Sequence, residues 1–139
     1  MAHVLLVEDE RLVALAFRAA LEGEGHRVTA VGDGLSAIAA DLADPAEVLV
    51  TDLRMPRMGG RELVRHLRQH TPGLPVVVLS GHTDDAGELL DGAGATVLLG
   101  KPVSPDTLVE VVAVLVGRRR SPAADALAAA PAAAPPPVA

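Results

Sequence analysis

Val48-Leu49-Val50-Thr51-Asp52-Leu53-Arg54-Met55-Pro56 is the stretch on which the fold turns. Its opening residues form a short continuous run of branched apolar side chains, the pattern of a strand covered on both faces, and the run stops on a carboxylate. Working outward, four more such runs lie along the chain: Val4–Val7, Arg27–Val31, Val76–Leu79 and Thr96–Leu99. Helical patterns separate them, over Glu10–Glu22, Leu35–Leu42, Arg61–His70, Asp84–Asp91 and Ser104–Val116. Strictly alternating strands and helices predict an α/β domain with a parallel sheet and helices on both faces.

Local punctuation fits these boundaries. Asp33-Gly34 marks a turn and a helix start, Pro72-Gly73 and Pro75 break the chain ahead of the fourth strand, and Ser104-Pro105 pairs a hydroxyl N-cap with proline at the first helical position. The fourth helix carries Gly87 inside it and Gly92 after it, so it is expected to be short or mobile. From Arg118 onward the chain turns to Arg, Ala and Pro. Residues 118–139 are therefore expected to form a disordered tail after a single domain spanning 1–117. Arg118, Arg119 and Arg120 complement the C-terminal end of the last helix.

Composition narrows the chemistry. Half of the 139 residues are hydrophobic, yet Phe17 is the one aromatic, so the core is built from Val, Leu and Ala. There is no cysteine, which excludes disulfides and thiolate metal sites and fits a reducing, cytoplasmic setting. The N-terminus lacks the basic region of a secretory signal, and no apolar stretch approaches the roughly 20 residues of a membrane span. Residues 1–117 hold nine basic and seventeen acidic side chains, a net charge of −8 that argues against nucleic-acid binding by the body.

The charged and polar strand-end residues gather on one edge. Glu8 and Asp9 follow the first strand, Asp52 ends the third, Ser80 ends the fourth and Lys101 follows the fifth. Ligand sites of open α/β sheets form outside the carboxyl ends of the strands, where the strand order reverses. In a flavodoxin-like, doubly wound five-stranded sheet of order 2-1-3-4-5 with five helices, the first and third strands are neighbours about 4.8 Å apart. Glu8, Asp9 and Asp52 then converge. Three such carboxylates need a proton or a cation, and oxygen donors without His or Cys suit Mg²⁺. One of them can act as a nucleophile toward phosphorus, with a hydroxyl and an ammonium holding the phosphoryl oxygens. Lys101 is the single lysine among twelve basic residues, a compact point charge kept in an arginine-biased chain.

As a set these motifs resemble the response-regulator receiver domains of the CheY-like superfamily, over about residues 3–117. Glu8-Asp9 is similar to their acidic pair, Thr51–Gly60 to their phosphoacceptor loop, Val78–His82 to their hydroxyl element and Gly100-Lys101-Pro102 to their lysine–proline signature. The resemblance implies that Asp52 is the phosphoacceptor. It implies that Asp9, Asp52 and the backbone carbonyl of Arg54 bind Mg²⁺ directly, with Glu8 acting through a bound water. Ser80 and Lys101 contact the phosphoryl oxygens, and the Lys101–Pro102 bond is cis. Arg54 and His82 stand where receivers tune the lifetime of the acyl phosphate. Leu98 departs from the pattern, since receivers usually carry an aromatic there.

The implied function is that of a two-component response regulator of the stand-alone, single-domain type. It would be phosphorylated by a histidine kinase or a His-phosphotransfer protein and would be no turnover enzyme. It would signal to a downstream protein through the face of the fourth helix, fifth strand and fifth helix, as a monomer or weak dimer, or serve as a phosphate sink. No nucleic acid or membrane partner is expected. The alternative is an adaptor of receiver fold that signals without phosphorylation. A phosphohydrolase with a strand-end Asp nucleophile would want a second Asp where Arg54 stands, and the Gly-rich pattern of phosphate-binding-loop NTPases is absent.

Overall fold

The computed structural model describes residues 1–81 and 94–119. Five strands, β1 (His3–Val7), β2 (Arg27–Val31), β3 (Val48–Asp52), β4 (Val76–Ser80) and β5 (Thr96–Gly100), alternate with α1 (Arg11–Gly23), α2 (Gly34–Ala43), α3 (Gly60–His70) and α4 (Pro105–Arg119). All pairings are parallel and the order is β2-β1-β3-β4-β5, as expected. The expected helix Asp84–Asp91, His82 and residues 120–139 lie outside the described residues. The helix expected to end at Val116 continues through Arg119, past the anticipated boundary at residue 117.

The strands β1, β3 and β4 are buried at every position because helices cover both faces. On one face Val4, Leu6, Val50 and Val77 pack with Phe17 and Leu21 of α1 and with Leu108, Val112 and Leu115 of α4. On the other, Leu5, Val7, Leu49 and Val78 pack with Ala37 of α2 and with Leu63, Val64 and Leu67 of α3. The alternation of side chains along each strand supplies both layers from the same residues.

The anticipated caps are present. Asp33 accepts a hydrogen bond from the Ser36 amide at 2.8 Å, and Ser104 Oγ accepts from the Thr107 amide at 3.1 Å. His3, which the apolar pattern left outside the first strand, is its first residue and is 3 % exposed. Both ring nitrogens are satisfied, Nδ1 at 3.0 Å from the Pro45 carbonyl and Nε2 at 2.7 Å from Thr29 Oγ1, which is what lets a polar ring enter the interior.

Candidate functional site

The sheet register assembles the site. Val7 pairs with Thr51 and Asp52 with Leu79, so Glu8, just past β1, lies beside Asp52, and Ser80 pairs with Gly100 next to Lys101. The ladders run slightly past the strands. The Glu8 amide donates to the Val31 carbonyl at 3.1 Å and the Lys101 amide to the Ser80 carbonyl at 2.8 Å. These backbone hydrogen bonds hold the chain at Glu8 and Lys101 in line with the sheet.

Carboxylate oxygens of Glu8, Asp9 and Asp52 all lie within 4.8 Å of one another. Glu8 and Asp52 are buried, at 3 % and 1 % exposure, whereas Asp9 faces solvent. Lys101 Nζ is 2.8 Å from Asp52 Oδ1, and Glu8 Oε2 accepts from the Glu10 amide at 3.1 Å. The other oxygens of the buried pair, Asp52 Oδ2 and Glu8 Oε1, receive no hydrogen bond. Burial, reinforced by the neighbouring Asp52 carboxylate, pushes the Glu8 carboxyl up to about 8, against the pull of the Glu10 amide and of Lys101. Partial burial disfavours the Lys101 ammonium, but its contact with Asp52 and the charges of Asp52, Glu8 and Glu10 outweigh that and raise its pKa.

Two buried carboxylate oxygens without donors, beside an exposed carboxylate, form an oxygen-only donor set into which a hard divalent cation fits. Ser80 is buried at the end of β4. Arg54 is exposed in the loop after β3, and the Lys101–Pro102 peptide is cis, as the resemblance implied. Leu98 is half-buried against the core on the α2/α3 face. A cavity of about 370 Å³ lined by Glu8, Val13, Phe17, Lys101 and Val103 opens beside the carboxylates, between α1 and the segment after β5.

Sequence reasoning missed two supports. Thr51 Oγ1 donates to the Asp52 carbonyl at 2.9 Å and fixes the peptide that follows the carboxylate; a threonine in a strand gives no sign of this. Gly60 begins α3 directly against the Asp52 carbonyl, and its amide donates to the Leu53 carbonyl at 2.8 Å. The Gly59-Gly60 pair ahead of a helical pattern was a readable signal of close backbone approach.

A parallel sheet of order 2-1-3-4-5 with an acidic cluster and a lysine at its reversal edge defines the receiver class, and comparison with known proteins agrees. The model of the response regulator receiver domain matches residues 4–113, and the chain belongs to that family and so to two-component signalling. The chain is 37 % identical over 117 residues to the probable transcriptional regulatory protein TcrX of Mycobacterium tuberculosis, covering 83 % of this chain and 50 % of that one. It is 35 % identical over 126 residues to response regulator MprA of Mycobacterium avium, covering 89 % and 54 %. The chain thus spans about half the length of the curated relatives it matches. Among solved structures it is similar to the receiver domain of the Francisella response regulator 1452, with TM-score 0.77, 30 % identity and 86 % and 100 % coverage. The chemotaxis response regulator CheY4 of Vibrio cholerae aligns with TM-score 0.73, 29 % identity and 83 % and 98 % coverage.

Proposed function

We propose that Asp52 accepts a phosphoryl group from a phosphohistidine of a histidine kinase or His-phosphotransfer protein. An Asp52 carboxylate oxygen attacks phosphorus while the phosphorus–nitrogen bond breaks. The imidazole leaves with that electron pair and takes up a proton. Asp9, Asp52 and the backbone carbonyl of Arg54 would hold Mg²⁺, with Glu8 acting through a bound water, and the ion would neutralise charge on the transferring group. Lys101 turns its ammonium from the carboxylate toward a phosphoryl oxygen, and the Ser80 hydroxyl donates to another.

What carries this reading is one observation: three carboxylates converge within 4.8 Å, with the chain's single lysine at 2.8 Å from the most buried of them. Incubation with a small acyl-phosphate donor and Mg²⁺, read by intact mass, tests it. One phosphoryl group is expected on the wild type and none after chelation or on Asp52→Asn. A phosphorylated Asp52→Asn protein rejects the assignment.

The kinase-side surface in this reading is α1, whose Arg11, Leu15 and Arg18 line a groove with Glu8 and Asp9 and whose Leu12 is exposed. Its apolar residues suit a partner helix and its arginines an acidic rim. The output is a protein contact on β5, α4 and the neighbouring expected helix, made in the cytoplasm by a phosphoacceptor that is consumed and regenerated rather than by a turnover enzyme. No described helix is long and apolar enough to cross a membrane.

A further inference from the structure

The described residues hold four histidines, and two of them are spent on the fold. His3 has a partner on each ring nitrogen, and His26 Nδ1 accepts from the Ala2 amide at 3.2 Å. The other two, His66 and His70, stand one turn apart near the C-terminal end of α3. His66 is half-buried and His70 exposed, away from the inner side that buries Leu63, Val64 and Leu67. Neither ring takes part in a hydrogen bond or an ion pair with the described residues. They meet each other instead, with ring centroids 5.7 Å apart and planes inclined at 59°.

Residues four apart share a helix face, and two imidazoles so placed can grip one ion. With a metal–nitrogen bond of about 2.1 Å, the centroids of two rings sharing an ion lie at most roughly 6.5 Å apart. The observed separation is inside that limit, so the chelate needs side-chain rotation and no movement of the helix. The pair also sits at the C-terminal end of α3, where the dipole favours a cation. Glu62, one turn before His66, brings a negative charge to the same side, while Arg68 is held at the Leu74 and Ala95 carbonyls. Zinc hydrolases with a His-Glu-x-x-His helix carry a general base directly after the first histidine. Here that position is Leu67, which is buried, so the pair can hold an ion but has no base beside it.

We propose that His66 and His70 chelate a borderline divalent transition-metal ion such as Zn²⁺, with water in the remaining positions. The site is separate from the carboxylate edge. α3 begins against the Asp52 carbonyl and runs away from it, so its last turn lies toward the opposite end of the sheet. The donor sets divide the ions between the two places: carboxylate oxygens suit Mg²⁺, and imidazole nitrogens suit Zn²⁺. Bound between the two rings, the ion clips the last two turns of α3 together, the same turns that Arg68 ties to the segments entering β4 and β5. The proposal does not depend on phosphate chemistry and is tested on the unphosphorylated chain.

Calorimetric titration of the full chain with Zn²⁺, in excess Mg²⁺ to fill the carboxylate edge, tests it. One Zn²⁺ per chain is expected, and Asp9→Asn/Asp52→Asn should bind it equally well. His66→Gln and His70→Gln should each weaken binding at least about tenfold, because a second donor on the same face acts at high effective concentration. His66→Gln with Arg65→His keeps the number of histidines but sets them five residues apart, on different sides of the helix. It should lose affinity to the same extent, although it removes a positive charge. All these side chains lie outside the core, so the metal-free melting temperatures of the histidine variants should match the wild type, which separates lost binding from lost folding. Zn²⁺ should also slow amide exchange in the last turn of α3. No Zn²⁺ bound by the wild type, binding lost in Asp9→Asn/Asp52→Asn, unchanged affinity after either histidine is replaced, wild-type affinity in the displaced pair, or exchange in α3 unaffected by Zn²⁺ would each overturn the proposal.

Discussion

A methyl group added to Gly60 would lie 2.4 Å from the Asp52 carbonyl oxygen and 2.9 Å from Leu53 Cα, both backbone atoms. Neither can retreat without moving the loop that carries the carboxylate. Gly60→Ala should therefore destabilise the fold by roughly 1–3 kcal/mol, the range of overpacked sites, and slow phosphoryl loading at Asp52. At Gly59 the same methyl would meet only the Leu53 carbonyl at 3.5 Å, an ordinary contact. Gly59→Ala should lose less than about 1 kcal/mol, the size of a cap change. Urea titration of the two variants beside the wild type measures both. At this scale the sequence was legible where a side chain does chemistry: Glu8, Asp9, Asp52, Ser80 and Lys101 all stand at the edge inferred for them. It was silent where a residue acts by what it lacks, as Gly60 does, or through its neighbour's backbone, as Thr51 does. The upward push on Glu8 was also hidden, because it comes from burial depth rather than from residue type.

Among the elements, α3 is tied to the far edge of the sheet by one side chain. Arg68 Nε and Nη2 donate to the Leu74 carbonyl at 3.1 and 2.9 Å, and Nη2 also reaches the Ala95 carbonyl at 3.0 Å and Thr96 Oγ1 at 2.9 Å. This closes the segments entering β4 and β5 against the helix, at the end of the sheet opposite the carboxylates. Arg68→Leu leaves these acceptors without their donor and should remove roughly 2–3 kcal/mol of stability. Arg68→Lys should recover only part of it, since an ammonium cannot reproduce the planar fork. Equilibrium unfolding of the two proteins is the check. Nothing in the periodicity of α3 set Arg68 apart from Arg61 or Arg65; the distinction appears only once the strands that supply the acceptors are neighbours. The strand cores were legible as apolar runs, with Asp52 and Ser80 as strand ends, but β1 begins one residue earlier, at His3, and β5 runs one further, to Gly100. Their sheet hydrogen bonds are set by pairing, whereas the runs were recognised by hydrophobicity.

For the molecule as a whole, folding brings like charges together at the reversal edge, and a cation should relieve them. Mg²⁺ that binds the folded chain and not the unfolded one adds about 1.4 kcal/mol at ten times its dissociation constant. The melting temperature should rise with Mg²⁺ in the wild type and stay flat in Asp9→Asn/Asp52→Asn. A parallel rise in both would place the binding elsewhere. The central claim, that Asp52 is the residue that carries the phosphoryl group, is tested most directly by mapping it. Borohydride reduction of the acyl-phosphorylated protein, followed by peptide mass spectrometry, marks the phosphorylated carboxyl. The account predicts reduction at position 52 alone, lost when Mg²⁺ is chelated before loading. Reduction at Glu8, Asp9 or any other acid, with Asp52 untouched, would contradict it.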